Sequence, residues 1–217
     1  MELTPYLFFT GFSLICNVVF SVWFGFRDKK IARKHIGGCA IVETISIVLG
    51  AKLLDVVFHW DFYEECMQNL EWLRMLTVGY TFLGGVIGAI LSVLIYASIS
   101  KEDVLTLASL FLPNLLLVYG VAKIGCYCNG CCKGIGELPI QLIESTGYLS
   151  LWIFLRFRKI PDCTRLSWTG ILFGFFRFFI EFLRENTGYM PVSISQVFAI
   201  CIGIAGVWSI YYPKKLT

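Results

Sequence analysis

The sequence predicts an all-α, polytopic integral membrane protein with about seven transmembrane helices, on three observations. Of its 217 residues, 57% are hydrophobic and only 15% are charged, far from the balance of a water-soluble globular chain. The apolar residues come in long runs rather than in the stripes of a half-buried helix. The basic residues gather in a few short loops, so the formal charge of +3 fits a membrane face and gives no reason to invoke nucleic acid.

A hydrocarbon core of roughly 30 Å takes about 20 mostly apolar residues to cross as a helix. Runs of that kind cover Pro5 to Phe26, Gly37 to Phe58, Leu76 to Ser98, Val104 to Ile124, Leu138 to Leu155, Ser167 to Leu183 and Val192 to Tyr212. The start, MELTPYLFF, is acidic and lacks a small-residue cleavage site, so the first run reads as a span rather than a leader. The loops after spans one, three and five, with the C-terminal PKKLT, hold Arg27, Lys29, Lys30, Arg33, Lys34, Lys101, Arg156, Arg158, Lys159, Arg165, Lys214 and Lys215. The alternate loops hold Arg74, Lys123, Lys133 and Arg184. This asymmetry predicts an N-terminus outside and a C-terminus in the cytoplasm. No hydrophilic segment is long enough for a second unit, and no fixed-period repeat is visible, so residues 1–217 read as a single transmembrane domain.

The stretch Gly120 to Glu144, GVAKIGCYCNGCCKGIGELPIQLIE, interrupts this apolar pattern with small, polar and thiol residues. Irregular backbone at membrane depth is tolerated where it lines a cavity, which makes this break the expected site, on the outer face. Ionisable residues inside spans are costly and point the same way. They are Glu43, Lys52, Asp55, Glu144, Arg177 and Glu181. Lys52 and Asp55 are three apart and can pair on one face. In FGFFRFFIEFLRE, Arg177, Glu181 and Arg184 are spaced four and three apart, which aligns them on one helical face. A salt bridge gluing helices is one reading; a guanidinium clamp for a phosphate is the favoured one. Gly84, Gly85 and Gly88 either let two helices approach or border a ligand with bare backbone.

Cys126, Cys128, Cys131 and Cys132 admit several fates. A soft-metal cluster is disfavoured because His35 and His59 lie elsewhere and no second Cys pair recurs, so no metal and no cofactor are expected. A disulfide suits an outer face. A thiolate near Lys123 or Lys133 could act as a nucleophile, which makes Cys131 and Cys132 candidates. Packing of small residues is the common alternative.

Six segments, in order, resemble the bacterial prolipoprotein diacylglyceryl transferase family: GAKLLDVVF, FLGGVIGAI, AKIGCYCNG, LPIQLIE, FFRFFIEFLRE and SISQ. The resemblance implies a seven-helix enzyme of the bacterial cytoplasmic (inner) membrane. Such an enzyme moves a diacylglyceryl group from phosphatidylglycerol to the thiol of a prelipoprotein cysteine or a similar acceptor. It also implies that Asn129, Gly130, Gln141, Glu144, Arg177, Glu181, Arg184 and Gln196 keep the family's residue types. Leu83 and Leu138 stand where the family has histidines, Lys52 and Lys123 where it has arginine, Cys126 where it has asparagine, Cys131 where it has an acid and Phe173 where it has tyrosine. Leu83 cannot accept a proton, so a general-base step cannot run through that position. The expected catalytic set is Arg177, Glu144, Cys131, Cys132 and Glu181; the expected lipid- and phosphate-binding set is Lys123, Asn129, Gly130, Gln141, Arg184, Lys52, Gly84 and Gly85. The alternative is a phospholipid-binding accessory protein that kept the fold without the chemistry. A transporter is less favoured, since no pair of broken helices recurs in matching halves.

Overall fold

Each expected span contains helix in the computed structural model, which describes residues 4–28, 31–77, 79–185 and 193–211. The helices are α1 (Thr4–Asp28), α2 (Arg33–Phe58), α3 (Trp60–Gln68), α4 (Trp72–Thr77), α5 (Phe82–Ser100), α6 (Val104–Phe111), α7 (Asn114–Cys128), α8 (Ile140–Phe157), α9 (Asp162–Ile180) and α10 (Ile194–Tyr211). Among the described residues there is no β-strand beyond a single bridge between Gly134 and Arg184. Of the basic loop residues, Lys29, Lys30, Lys214 and Lys215 lie outside the described residues.

Among the described residues, five stretches are long and apolar enough to cross a membrane: Pro5–Arg27, Phe82–Ser100, Val104–Cys128, Thr164–Leu183 and Ile194–Tyr211. α2, at 26 residues, and α8, at 18, have the length too, but carry the charged side chains, Glu43, Lys52 and Asp55 on the first and Glu144 and Arg156 on the second. Large apolar side chains such as Phe8, Ile15 and Val19 on α1 and Ile200, Ile204 and Val207 on α10 are exposed. Patches of that size are a liability in water and are the surface a lipid-embedded bundle needs. The chain is a multi-pass membrane protein.

Four departures from the sequence reading bear on the site. The third span begins at Phe82, not Leu76, because Gly79 takes a positive φ of 79° and Thr81 donates its N–H to Ala51 O, turning the chain onto α2 first. The fourth span is broken, since Pro113 has no N–H to give and α6 stops before it. α7 runs on to Cys128, so Cys126 and Cys128 are helical and the break in regular structure is confined to the residues after them. Arg156, counted above among loop residues, is instead buried in the last turn of α8.

The second and fourth of these differences are linked. Where Pro113 breaks the helix, Asn114 is fully buried; it donates to Ser21 Oγ at 2.7 Å and accepts from Trp152 Nε1 and Arg156 Nε, both at 3.0 Å. Arg156 also bonds the Leu110 carbonyl beside the break. Irregular backbone at this depth is tolerated because side chains satisfy it.

Two further contacts fix the site's walls. α2 and α5 meet through glycines: a Cβ on Gly84 would sit 2.1 Å from Gly50 O, and one on Gly88 would sit 2.1 Å from Ser46 O. Only glycine allows that approach. Between α7, α8 and α9, Leu117, Val121, Tyr148, Trp152 and Phe173 form an apolar cluster capped by Phe20 and Phe24 of α1.

Candidate functional site

The C-terminal ends of α7 and α9 meet the N-terminal ends of α8 and α10, and there five charged side chains close into one chain. Lys123 Nζ on α7 pairs with Glu144 Oε2 on α8 at 2.6 Å. Arg177 on α9 bridges two carboxylates, with Nη1 3.1 Å from Glu144 Oε1 and Nη2 2.8 Å from Glu181 Oε2. Arg184 Nη1 lies 3.5 Å from the same Glu181 oxygen, and Ser193 Oγ donates to Glu181 Oε1 at 2.9 Å. Side-chain exposure falls from 18% at Arg184 to 0% at Glu144, so the chain is buried at one end and opens at the other. In so little water each partner depends on the next, because an unpaired buried ion costs several kcal/mol.

Local sequence explains the placement. On α8, Gln141, Glu144 and Tyr148 are spaced three and four apart and share a face; on α7, Tyr119, Lys123 and Cys126 do the same. α9 ends at Ile180, tightens into a 3₁₀ turn at Glu181–Leu183, and leaves Arg184 extended against Gly134. The helical face predicted for Arg177, Glu181 and Arg184 therefore stops short of Arg184, which reaches the cluster through this bridge. Gln196, buried on α10, accepts from Ser193 N at 3.0 Å and steadies the hydroxyl that caps Glu181.

The loop after α7 folds back over the same end. Asn129 and Gly130 make the turn, Gly130 at φ 67° with open space where a Cβ would go. Its glycine therefore serves conformation rather than room. Cys131 N donates to Cys126 O at 3.1 Å, Gln141 Nε2 donates to Cys131 O at 2.5 Å, and Cys132 takes φ 57°, a left-handed value uncommon outside glycine. The sulfurs of Cys126, Cys131 and Cys132 all lie within 4.8 Å of one another, while Cys128 projects to the exposed side of α7. Hydrogen bonds from Cys126 and Cys131, then the charges of Lys123 and Arg184, hold the Cys132 thiol well below its usual range against the opposing effect of burial.

Of the expected residues, the structure thus joins Lys123, Glu144, Arg177, Glu181 and Arg184, and beside them Asn129, Gly130, Cys131, Cys132 and Gln141. It does not bring in the other three. Gly84 and Gly85 are buried against α2, the helix-packing role, with Gly85 facing Ile47 and Ala51. Lys52 belongs to a separate polar cluster, where its Nζ bonds Gly79 O at 3.3 Å and lies over the Tyr63 and Tyr80 rings. Asp55 in that cluster accepts from Tyr63 at 2.7 Å and pairs with His59 at 3.3 Å. The phosphate clamp expected of Arg177 also changes, since its fork is taken up by two carboxylates. The objection to a metal, that no second Cys pair recurs, loses its force once the bend after α7 brings three thiols together.

Tyr119 and Tyr148 went unnoticed in the sequence, and Ser193 entered it only as the first residue of SISQ. Tyr119 lies under Lys123, with the Nζ 5.0 Å from the ring centre, and stacks edge-on against Tyr148. Tyr148 is fully buried, and its hydroxyl has no hydrogen-bond partner among the described residues. Ser193 caps Glu181. The signal for the tyrosines was present: each is four residues from a charged site residue on its own helix.

Comparison with known proteins identifies the family. Residues 2–212 match the family described as prolipoprotein diacylglyceryl transferase. The chain is 27% identical, over all of its own length and 93% of the other, to phosphatidylglycerol–prolipoprotein diacylglyceryl transferase 2 of Clostridium perfringens. It is 32% identical, over 82% of each chain, to the phosphatidylglycerol–prolipoprotein diacylglyceryl transferase of Clostridium tetani. The protein of that name from Thermosynechococcus vestitus is 23% identical over 94% of this chain and 89% of its own.

Proposed function

Because the chain belongs to the prolipoprotein diacylglyceryl transferase family, we propose that it transfers the diacylglyceryl group of phosphatidylglycerol to a thiol acceptor such as a prelipoprotein cysteine. The reading is carried by one observation, a charge surplus at the open end of the ion-pair chain. Within the ion-pair chain three cations, Lys123, Arg177 and Arg184, face two carboxylates, Glu144 and Glu181, an excess of one positive charge that the nearby Cys132 thiol also feels. A phosphodiester brings one negative charge. Arg184 is the most exposed member and has the longest contact, so it receives the phosphate, with Lys123 behind it; Arg177, Glu144 and Glu181 hold these two in place. Asn129, Gly130 and Gln141 shape the loop beside them.

In the transfer, the acceptor thiol gives up its proton to water and its sulfur forms a bond to the terminal glyceryl carbon. The carbon–oxygen bond to phosphate breaks, and the electron pair leaves on glycerol phosphate. A cation at the phosphate stabilises the charge that builds on that oxygen. Incubating the purified protein with phosphatidylglycerol labelled in its acyl chains and a lipobox peptide is expected to move label to the peptide cysteine. Leu83 and Leu138 favour a second reading, a phospholipid-binding protein without the chemistry. Saturable binding of phosphatidylglycerol with no label on the peptide would establish that reading instead.

The same proposal sets the chain in the bacterial inner membrane as one domain over residues 1–217. Seven crossings are made by α1, α2, α5, the α6–α7 pair, α8, α9 and α10, with the N-terminus outside and the C-terminus in the cytoplasm. An engineered thiol near Glu65 in a cysteine-depleted background is then expected to react with a membrane-impermeant reagent added to intact cells, and one near Lys30 to stay protected. The reverse pattern would turn the site to the cytoplasmic face.

A further inference from the structure

We propose that Cys126, Cys131 and Cys132 together ligate one zinc ion, Zn(II), and that its fourth position takes the acceptor thiol; this rests on the transferase reading above. The argument begins with convergence. Three sulfurs lie within 4.8 Å of one another. With Zn–S bonds of about 2.3 Å, tetrahedral geometry sets thiolate sulfurs about 3.8 Å apart. Small side-chain rotations close that gap.

The convergence is built by the fold rather than left to chance. Cys126 sits buried in the last turns of α7, and the Cys131 N–H bonds its carbonyl. Gly130 and Cys132 both hold left-handed backbone to bend the chain back, and Gln141 pins the Cys131 carbonyl from α8. The path of the loop is thus fixed from α7 and from α8 at once. Cys128, two residues from Cys126 on the same helix, is left outside. A disulfide would use two of the three sulfurs and a covalent nucleophile one; ligation uses all three. Three protein ligands with a fourth position open is also the arrangement that distinguishes catalytic zinc from structural zinc.

The position answers a need of the reaction. Leu83 and Leu138 cannot take the proton of an acceptor thiol, and Glu144 is tied to two cations. A thiol bound to zinc is ionised outright, its proton passing to water. The acceptor sulfur, held as a thiolate, then attacks the glyceryl carbon of a lipid whose phosphate is held by Lys123, one helical turn before Cys126, and by Arg184.

The test uses the full-length protein, purified reduced and without oxygen, stripped with a chelator, then given zinc or cobalt(II). One zinc per chain is expected, with a sulfur-to-metal charge-transfer band in the cobalt form. Cys126→Ser and Cys132→Ser are expected to lose the metal, and Cys128→Ser to keep it. Because Cys126 is buried and its variant can fail to fold, the exposed Cys132 provides the decisive comparison. A lipobox peptide is expected to shift the cobalt ligand-field bands, and the same peptide with serine for cysteine to leave them unmoved. Absence of stoichiometric zinc in reduced, folded protein, or full zinc in Cys132→Ser, overturns the site; so does a lipid adduct on Cys131 or Cys132. Cobalt bands that ignore the cysteine peptide overturn the acceptor role. Bands that respond while label never leaves phosphatidylglycerol uphold the metal site and remove the transferase reading.

Discussion

Glu144→Gln is expected to destabilise the folded protein by about 3–5 kcal/mol, the cost of removing one partner from a buried ion pair. The carboxylate is fully buried between Lys123 at 2.6 Å and Arg177 at 3.1 Å, so the amide leaves Lys123 without its carboxylate and Arg177 with Glu181 alone. Thermal unfolding in detergent should show the loss directly. The informative companion is the double variant Lys123→Met, Glu144→Gln, which removes a charge of each sign and leaves Arg177 paired with Glu181 at 2.8 Å. It is expected to recover most of the stability, since isosteric replacement of a buried pair is often close to neutral. Phosphatidylglycerol binding and transfer are expected to stay low, because the phosphate has lost one of its cations. Recovery of transfer along with stability would mean that Lys123 and Glu144 only hold helices together.

Arg177→Lys is expected to fold and to turn over slowly. The guanidinium spans two carboxylates on different elements, with one nitrogen on Glu144 and the other on Glu181. An ammonium keeps the charge but cannot hold that fork. One charge-assisted hydrogen bond is lost, worth about 1.5–3 kcal/mol. If that energy positions Arg184 and Lys123 in the transition state, transfer falls by about 10- to 100-fold, at roughly 1.4 kcal/mol per factor of ten. Single-turnover transfer with folded protein, checked by gel filtration, measures this. Wild-type rates in the folded lysine variant would show that the bridge serves stability alone and that the phosphate site is set elsewhere.

The positions of greatest disagreement between sequence and structure share a cause. Lys52 and Lys123 look alike on paper, each a lysine set inside an apolar run, yet Lys123 joins the ion-pair chain and Lys52 lies over Tyr63 and Tyr80. Gly84 and Gly130 are equally anonymous, but the first makes room for Gly50 and the second supplies a positive φ. Arg156, next to a basic loop in sequence, serves a break caused by Pro113 on another helix. For Lys123, Gly84 and Arg156 the deciding partner is far away along the chain, and the residue's own neighbourhood carries no trace of it.

By itself the sequence determined the membrane class, the approximate spans and the end of the bundle where charge would collect. Apolar runs, Gly and Pro breaks and helical spacing are local quantities, and a bilayer leaves helices as nearly the only way to satisfy backbone within such a run. The tertiary structure alone decided which charges pair, that the Arg177 fork is spent on carboxylates, and that three of the four clustered cysteines turn toward one point. Pairing and ligation act over about 3–5 Å in space, and only packing of distant segments brings atoms to that range.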